Sequence, residues 1–294
     1  MNFTVENMSI DCEPSRTAMA AATLRALAAN DESIRGPDSL AELFLPEELR
    51  EVLKDPVARD RAFSNRIIPG MYEFMIVRTA FFDDIVKKAF LDEMPQVVFL
   101  GAGYDSRSCR FSSLLGSTRI FELDAGPTQL RKKRVLKKAG IKVPGQVAYV
   151  PVNFITEDFI EVLRQAGFNS DIRTLFVWEG VTYYLDRQVI DHTLKAIKSN
   201  SPAGSSVCFD YASVRPGPPG QTAAGNLRES FKSRYSSEPV KFALKQGAIG
   251  PFLSSRGFKL LRHLDSEEME MIYLPMSRPA GNVPDVFCLV HASA

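Results

Sequence analysis

Gly101 and Gly103 close the apolar run Val97-Val98-Phe99-Leu100, and Asp124 follows Gly103 by 21 positions, at the end of the run FELD. Glycines at a strand-to-helix turn let a ligand approach the backbone without meeting a Cβ. An acid about 20 positions on, at the tip of the next strand, accepts ribose hydroxyls. Together these residues describe a nucleoside site; the alternative is a tight turn with Asp124 capping the next helix. Glu179 ends another apolar run, TLFVW, and precedes Gly180. A carboxylate there points into the crevice at the strand ends, or else caps the helix DRQVIDHTL. Arg78 falls on the apolar stripe of a helical segment, with Phe74 and Phe82 one turn to either side. A buried arginine calls for an anion, either a ligand or a structural partner, unless the side chain snorkels to water.

The type of nucleoside follows by elimination. A dinucleotide fingerprint G-x-G-x-x-G needs a third glycine at 106, where Ser106 stands. The phosphate loop G-x-x-x-x-G-K-[ST] is absent. S-adenosylmethionine has a ribose and an adenine but no phosphate, so it tolerates a looser turn. Methyl transfer becomes the leading chemistry, with a nucleotide-dependent oxidoreductase as the alternative.

These residues need elements to position them. The first ninety residues read as helices: 15–30 with Ser15 as cap and Asn30 as stop, 46–56 between prolines, and a longer one over 69–93. Its apolar residues at 71, 74, 75, 81, 82, 85, 86 and 89 form one stripe. From Gln96 on, short apolar runs at 97–103, 118–124, 147–153, 174–180 and 205–213 alternate with helical stretches at 127–140, 156–167 and 186–200. That alternation predicts a mostly parallel α/β sheet covered on both faces. The tail reads differently: a Pro/Gly-rich loop at 215–225, then strands at 259–265, 268–274 and 285–293, forming an antiparallel edge. The expected organisation is a helical cap over 1–93 and a Rossmann-like domain over 94–294, with a lid-like insertion near 212–250.

Composition excludes other classes. The 294 residues are 45% hydrophobic and 24% charged with net charge +1, an ordinary globular balance without a field for nucleic acid. Cys12, Cys109, Cys208 and Cys288 are scattered, which suits a reducing cytoplasmic setting rather than disulfides or zinc. The first eleven residues contain Glu6 and Asp11 and lack a signal layout, and no apolar run approaches a membrane span. The basic stretch RKKRVLKK at 131–138 reads as the solvated face of a helix, with Leu130 and Leu136 inward. His192, His263 and His291 fall at no strand tip, so neither a histidine base nor a metal is expected.

LGAGYDSR, FELD, VPVNF and WEGVTYYL, in this order, resemble the leucine carboxyl methyltransferase family of S-adenosylmethionine-dependent enzymes. The resemblance implies a class I methyltransferase fold, with S-adenosyl-L-methionine held by Arg78, Gly101, Asp124, Asn153, Phe154 and Glu179. It gives Arg78 the methionine carboxylate, Asp124 the ribose, and Asn153-Phe154 the adenine edge. Glu179 lies near the methionyl amino group and the reaction centre. The family usually has Asp where Asn153 stands; its side-chain oxygen still accepts a hydrogen bond but without charge, so weaker binding is expected. Tyr104, Tyr183 and Tyr184, just past strand ends, line an acceptor pocket or simply pack. Asp105 and Arg107 read as a turn-stabilising pair or as ligand contacts. The expected reaction is O-methylation of a small-molecule carboxylate or hydroxyl, or of a protein C-terminus. The lack of a histidine base tilts toward a carboxylate, which is already ionised; a relative that binds cofactor without turnover is a further alternative.

Overall fold

The computed structural model describes residues 14–63, 67, 69–154, 156–214, 241–274 and 283–294. The loop at 215–225, most of the expected lid at 212–250, and Cys12 lie outside these residues. The chain divides into two compact units, one of Met1–Ile67 with Asp83–Asn169 and one of Ile68–Phe82 with Ser170–Ala294.

The first unit begins with helix α1 (Arg16–Ala29), where the Ser15 hydroxyl accepts the Ala18 N–H at 3.1 Å, and continues with α2 (Glu47–Lys54) and α3 (Pro56–Phe63). Helix α4 (Met71–Leu91) is one continuous helix whose residues up to Phe82 belong to the second unit and whose residues from Asp83 belong to the first. Strands β1 (Gln96–Leu100), β2 (Arg119–Asp124) and β3 (Val147–Pro151) pair in parallel in the order β3-β2-β1. The connection from β1 carries only a four-residue helix, α5 (Arg107–Arg110), whereas β2 leads into the longer α6 (Gly126–Lys138). Helix α7 (Phe159–Gln165) begins at Asp158, whose carboxylate accepts the Ile160 N–H at 2.9 Å. The core of this unit packs Ala22, Phe44, Tyr104 and Leu136 together.

Helix α6 corrects one expectation. Leu130 is half exposed, and the inward positions are Thr128, Lys132 and Leu136 at i, i+4 spacing. Lys132 is buried because Glu122, inside β2, pairs with its ammonium at 2.5 Å and also accepts the Ser108 hydroxyl at 2.7 Å. The basic stretch is therefore not wholly a solvated face. One of its lysines neutralises a buried strand carboxylate.

In the second unit, β4 (Thr174–Trp178) and β5 (Ser206–Val214) pair in parallel, joined through α8 (Arg187–Ser199). A short strand, β6 (Ala243–Lys245), also runs parallel to β5. Strands β7 (Lys259–Leu264) and β8 (Phe287–Ser293) are antiparallel to each other, and β8 is antiparallel to β5. Mostly parallel strands, an antiparallel C-terminal edge and N-terminal helices make the expected Rossmann-like class I methyltransferase fold. The tail also holds a correction: 268–274, read as a strand, belongs to the helix Ser266–Tyr273. Asp265 and Glu268 form a capping box there, each side chain accepting the other's N–H at 3.0 and 3.1 Å. That pattern, an acid three residues before a glutamate, overrides the apolar residues that suggested a strand.

Candidate functional site

In the first unit, the apolar strand β1 stops where the chain must turn into a left-handed conformation. Gly101 has φ +70° and Gly103 φ +47°, and a Cβ on Gly103 would lie 3.2 Å from the Ala18 methyl. The Gly103 N–H donates to Asp124 Oδ2 at 2.6 Å, and the Ala125 N–H donates to Oδ1 at 2.7 Å. Asp124 is therefore tied to the glycine turn and does not cap α6, whose N-cap is Ala125. Burial raises its carboxyl above the ordinary carboxylate range, outweighing these two N–H donors. Each oxygen retains a second lone pair, enough to accept a pair of vicinal hydroxyls.

The tip of β3 lies beside it. The Val152 N–H donates to the Asp124 carbonyl at 3.0 Å, and Asn153 and Phe154 follow. The Asn153 N–H donates to Glu157 Oε2 at 2.7 Å, and the Phe154 ring is 40% exposed, leaving an apolar face at the strand ends. Tyr104 is buried in the core and stacked on Phe44 at 4.8 Å.

The segment after the glycines is held by charge. Arg107 pairs with Asp105 and places Nε 2.7 Å from Asp83 Oδ1, while Arg110 grips both Asp83 oxygens at 2.8 Å. Ser106, standing where a dinucleotide turn has glycine, donates to Asp38 and accepts from Arg110 Nε at 2.8 Å. Arg25 Nε donates to the other Asp38 oxygen at 2.8 Å. The Asp105–Arg107 pair stabilises this turn within a buried lattice.

In the second unit, Arg78 is buried on the α4 stripe, its guanidinium over the Phe74 ring. Nη1 donates to the Tyr183 hydroxyl at 2.9 Å and lies 3.3 Å from Asp210 Oδ2. Nη2 faces only a weak acceptor, Met75 Sδ, at 3.3 Å. Nε is 3.0 Å from Glu179 Oε1 as an ion pair, yet makes no hydrogen bond. Burial works against the guanidinium charge, but Tyr183, Glu179 and Asp210 together hold its pKa above the ordinary value. Gly180, after Glu179, has φ +74°, and a Cβ there would lie 3.3 Å from Arg78 Nη1. Glycine at this position lets the arginine in. Tyr184 packs edge-on against Tyr183 at 4.9 Å.

Asp210 was missed in the sequence. Its signal was a lone acid inside the run SVCFDYASV, and it is wholly buried in β5. His192 lies in α8, His263 in β7, where its Nε2 meets the Tyr211 hydroxyl at 3.0 Å, and His291 in β8. Among the described residues, no helix is long and apolar enough to cross a membrane.

The leucine carboxyl methyltransferase family model matches residues 18–198. Two bacterial relatives bear the name Putative S-adenosyl-L-methionine-dependent methyltransferase. SCO7813 of Streptomyces coelicolor is 30% identical over 89% of this chain and 88% of its own length. YktD of Bacillus subtilis is 27% identical over 74% of this chain and 71% of its own length. A Thermobifida fusca crystal structure, described as a methyltransferase of putative function, aligns over 100% of this chain and 99% of its own length. Its TM-score is 0.61 at 14% identity, which speaks to the fold alone.

Proposed function

From the premise that the chain belongs to the leucine carboxyl methyltransferase family and is an S-adenosylmethionine-dependent methyltransferase, we propose that it methylates an oxygen of a small molecule, a carboxylate or a hydroxyl. The observation that carries the cofactor assignment to particular residues is the state of Arg78. It is a buried guanidinium whose Nη1 is engaged, whose Nε is ion-paired with Glu179 at 3.0 Å, and whose Nη2 faces only the Met75 sulfur. The Nη2 group, with a sulfur as its acceptor, suits a ligand carboxylate.

The first unit's residues suit a nucleoside and the second unit's suit an amino-acid group. Gly101 and Gly103 offer a turn without side chains, Asp124 retains lone pairs for ribose hydroxyls, and the exposed Phe154 ring and Asn153 suit an adenine. Arg78 is assigned the methionyl carboxylate and Glu179 the methionyl ammonium. When bound, S-adenosylmethionine would supply a sulfonium-activated methyl group for transfer to an oxygen nucleophile, with S-adenosylhomocysteine as the leaving thioether. The chain's task is then positioning, which can supply roughly 7–11 kcal/mol of barrier lowering. His192 lies in helix α8 and His263 and His291 in the antiparallel strands β7 and β8, which favours an acceptor already ionised. A carboxylate meets that condition, while a hydroxyl acceptor would pass its proton to a carboxylate such as Glu179. Tyr184 is assigned to acceptor selection; Tyr104 is buried against Phe44 and the buried Tyr183 hydroxyl is held by Arg78 and Asp210.

Calorimetric titration with S-adenosylmethionine, S-adenosylhomocysteine and NADH, repeated with Asp124→Ala, tests the assignment. We expect binding of the first two alone, weakened about tenfold to a hundredfold by the substitution, as for a lost hydrogen bond to a charged group. Unchanged binding in Asp124→Ala would overturn the ribose assignment. Acceptor screening with labelled methyl then separates base-labile esters from stable ethers, and transfer to a protein C-terminus alone would overturn the small-molecule reading.

A further inference from the structure

Asp210 belongs to no motif, yet its side chain and carbonyl hold three segments. Oδ1 accepts the Gly180 N–H at 2.7 Å. Oδ2 accepts the Tyr183 hydroxyl at 2.9 Å and faces Arg78 Nη1 at 3.3 Å. Its carbonyl accepts the Thr182 hydroxyl. One residue of β5 thus fixes α4, the turn after β4, and the 3-10 turn Thr182–Tyr184.

Apolar residues in place of both Arg78 and Asp210 would pack this interior at little electrostatic cost, so the buried pair needs another explanation. What it adds is direction. Nη1 is tied to Asp210 and Tyr183, while Nε is ion-paired with Glu179 Oε1 at 3.0 Å and Nη2 faces only Met75 Sδ. The bond to Gly180 sets the backbone next to Glu179 in the same frame.

We infer that Asp210 is a positioning residue for the amino-acid end of the cofactor: by holding Arg78 Nη1, the Tyr183 hydroxyl and the Gly180 N–H, it fixes the Arg78 guanidinium with Nη2 toward the ligand carboxylate. This rests on Arg78 being the carboxylate-binding residue, which a separate variant tests.

The experiment compares two ligands by calorimetry on the full-length protein. S-adenosylhomocysteine has the amino-acid end, while methylthioadenosine shares the nucleoside and thioether but lacks that end. Asp210→Asn is expected to weaken S-adenosylhomocysteine about tenfold to a hundredfold, as for a lost charge-assisted hydrogen bond. Methylthioadenosine binding stays within about twofold, as for an independent site. Equal losses for both ligands would make Asp210 merely structural and overturn the inference, as would unchanged S-adenosylhomocysteine binding. Arg78→Met separates the two levels. If it weakens S-adenosylhomocysteine while Asp210→Asn does not, only the inference fails; if it does not weaken it, the assignment of Arg78 fails as well. Should Asp210→Asn not fold, Tyr183→Phe removes one arm of the frame, with an expected loss of roughly threefold to tenfold for S-adenosylhomocysteine alone. No difference between the two ligands in that variant would likewise overturn the inference.

Discussion

Arg107 and Arg110 in the first unit and Arg78 in the second are all largely buried guanidiniums beside aspartates, and the two aspartates end in opposite states. Asp83 receives three guanidinium N–H groups from two arginines, and although burial alone would raise its carboxyl, Arg107 and Arg110 hold it below the ordinary range. Asp210 faces one guanidinium nitrogen at 3.3 Å, a tyrosine hydroxyl and a backbone N–H, and burial wins, holding it above that range. The number of donors decides the direction. Where donors are plentiful, the network closes on itself and holds a turn. Where they are few, the carboxyl stays raised and the arginine spreads its contacts over Glu179, Tyr183 and a methionine sulfur.

The strongest way to break this comparison is to empty the first network. Asp83→Ala leaves Arg107 and Arg110 buried without that carboxylate, and we expect a loss of about 3–5 kcal/mol of stability in urea unfolding. Binding of S-adenosylhomocysteine by the folded fraction should hold. A variant with full stability but lost binding would put the functional arginines in the first network instead.

A smaller effect tests the turn that the first network holds. Gly103→Ala forces an alanine to φ +47° with its Cβ 3.2 Å from Ala18. The left-handed conformation alone costs about 1–2 kcal/mol, read as a lowered melting temperature. An unchanged melting temperature would mean that the turn relaxes freely, and that glycine there is not required by conformation.

The smallest effect sharpens the electrostatic contrast. Asp83, lowered, contributes stability that is present above its unfolded value near 3.8 and lost as pH falls through its folded value. Asp210, raised, contributes stability that is present below 3.8 and lost as pH rises through its folded value. Unfolding free energies from acid to neutral pH should therefore part from wild type with opposite slopes in Asp83→Asn and Asp210→Asn. Slopes of the same sign would erase the distinction between the two networks.

Much of this was legible in the order of residues. The glycine turn, Asp124 at the tip of the next strand and the alternating strands depend on chain neighbours and on a spacing of 21 residues, and the structure ties Gly103 to Asp124 directly. The arginine on an apolar stripe announced a buried charge. The stretch 268–274 was misread because its apolar residues were weighed above the capping box before them. Leu130 was misread because a lysine was not expected to take the inward position, and only Glu122 on the neighbouring strand makes that position tolerable.

The sequence by itself determined the type of fold, the places where a backbone must bend out of the ordinary regions, and the family. These follow from local sterics and periodicity. The tertiary structure decided which charges meet. Arg78 and Asp210 are 132 positions apart, and Ser106 and Asp38 are 68. Composition cannot say whether a buried arginine will find two aspartates or share one. That depends on which strand interior faces which helix, and it separates a guanidinium that locks a turn from one whose Nη2 meets only a sulfur.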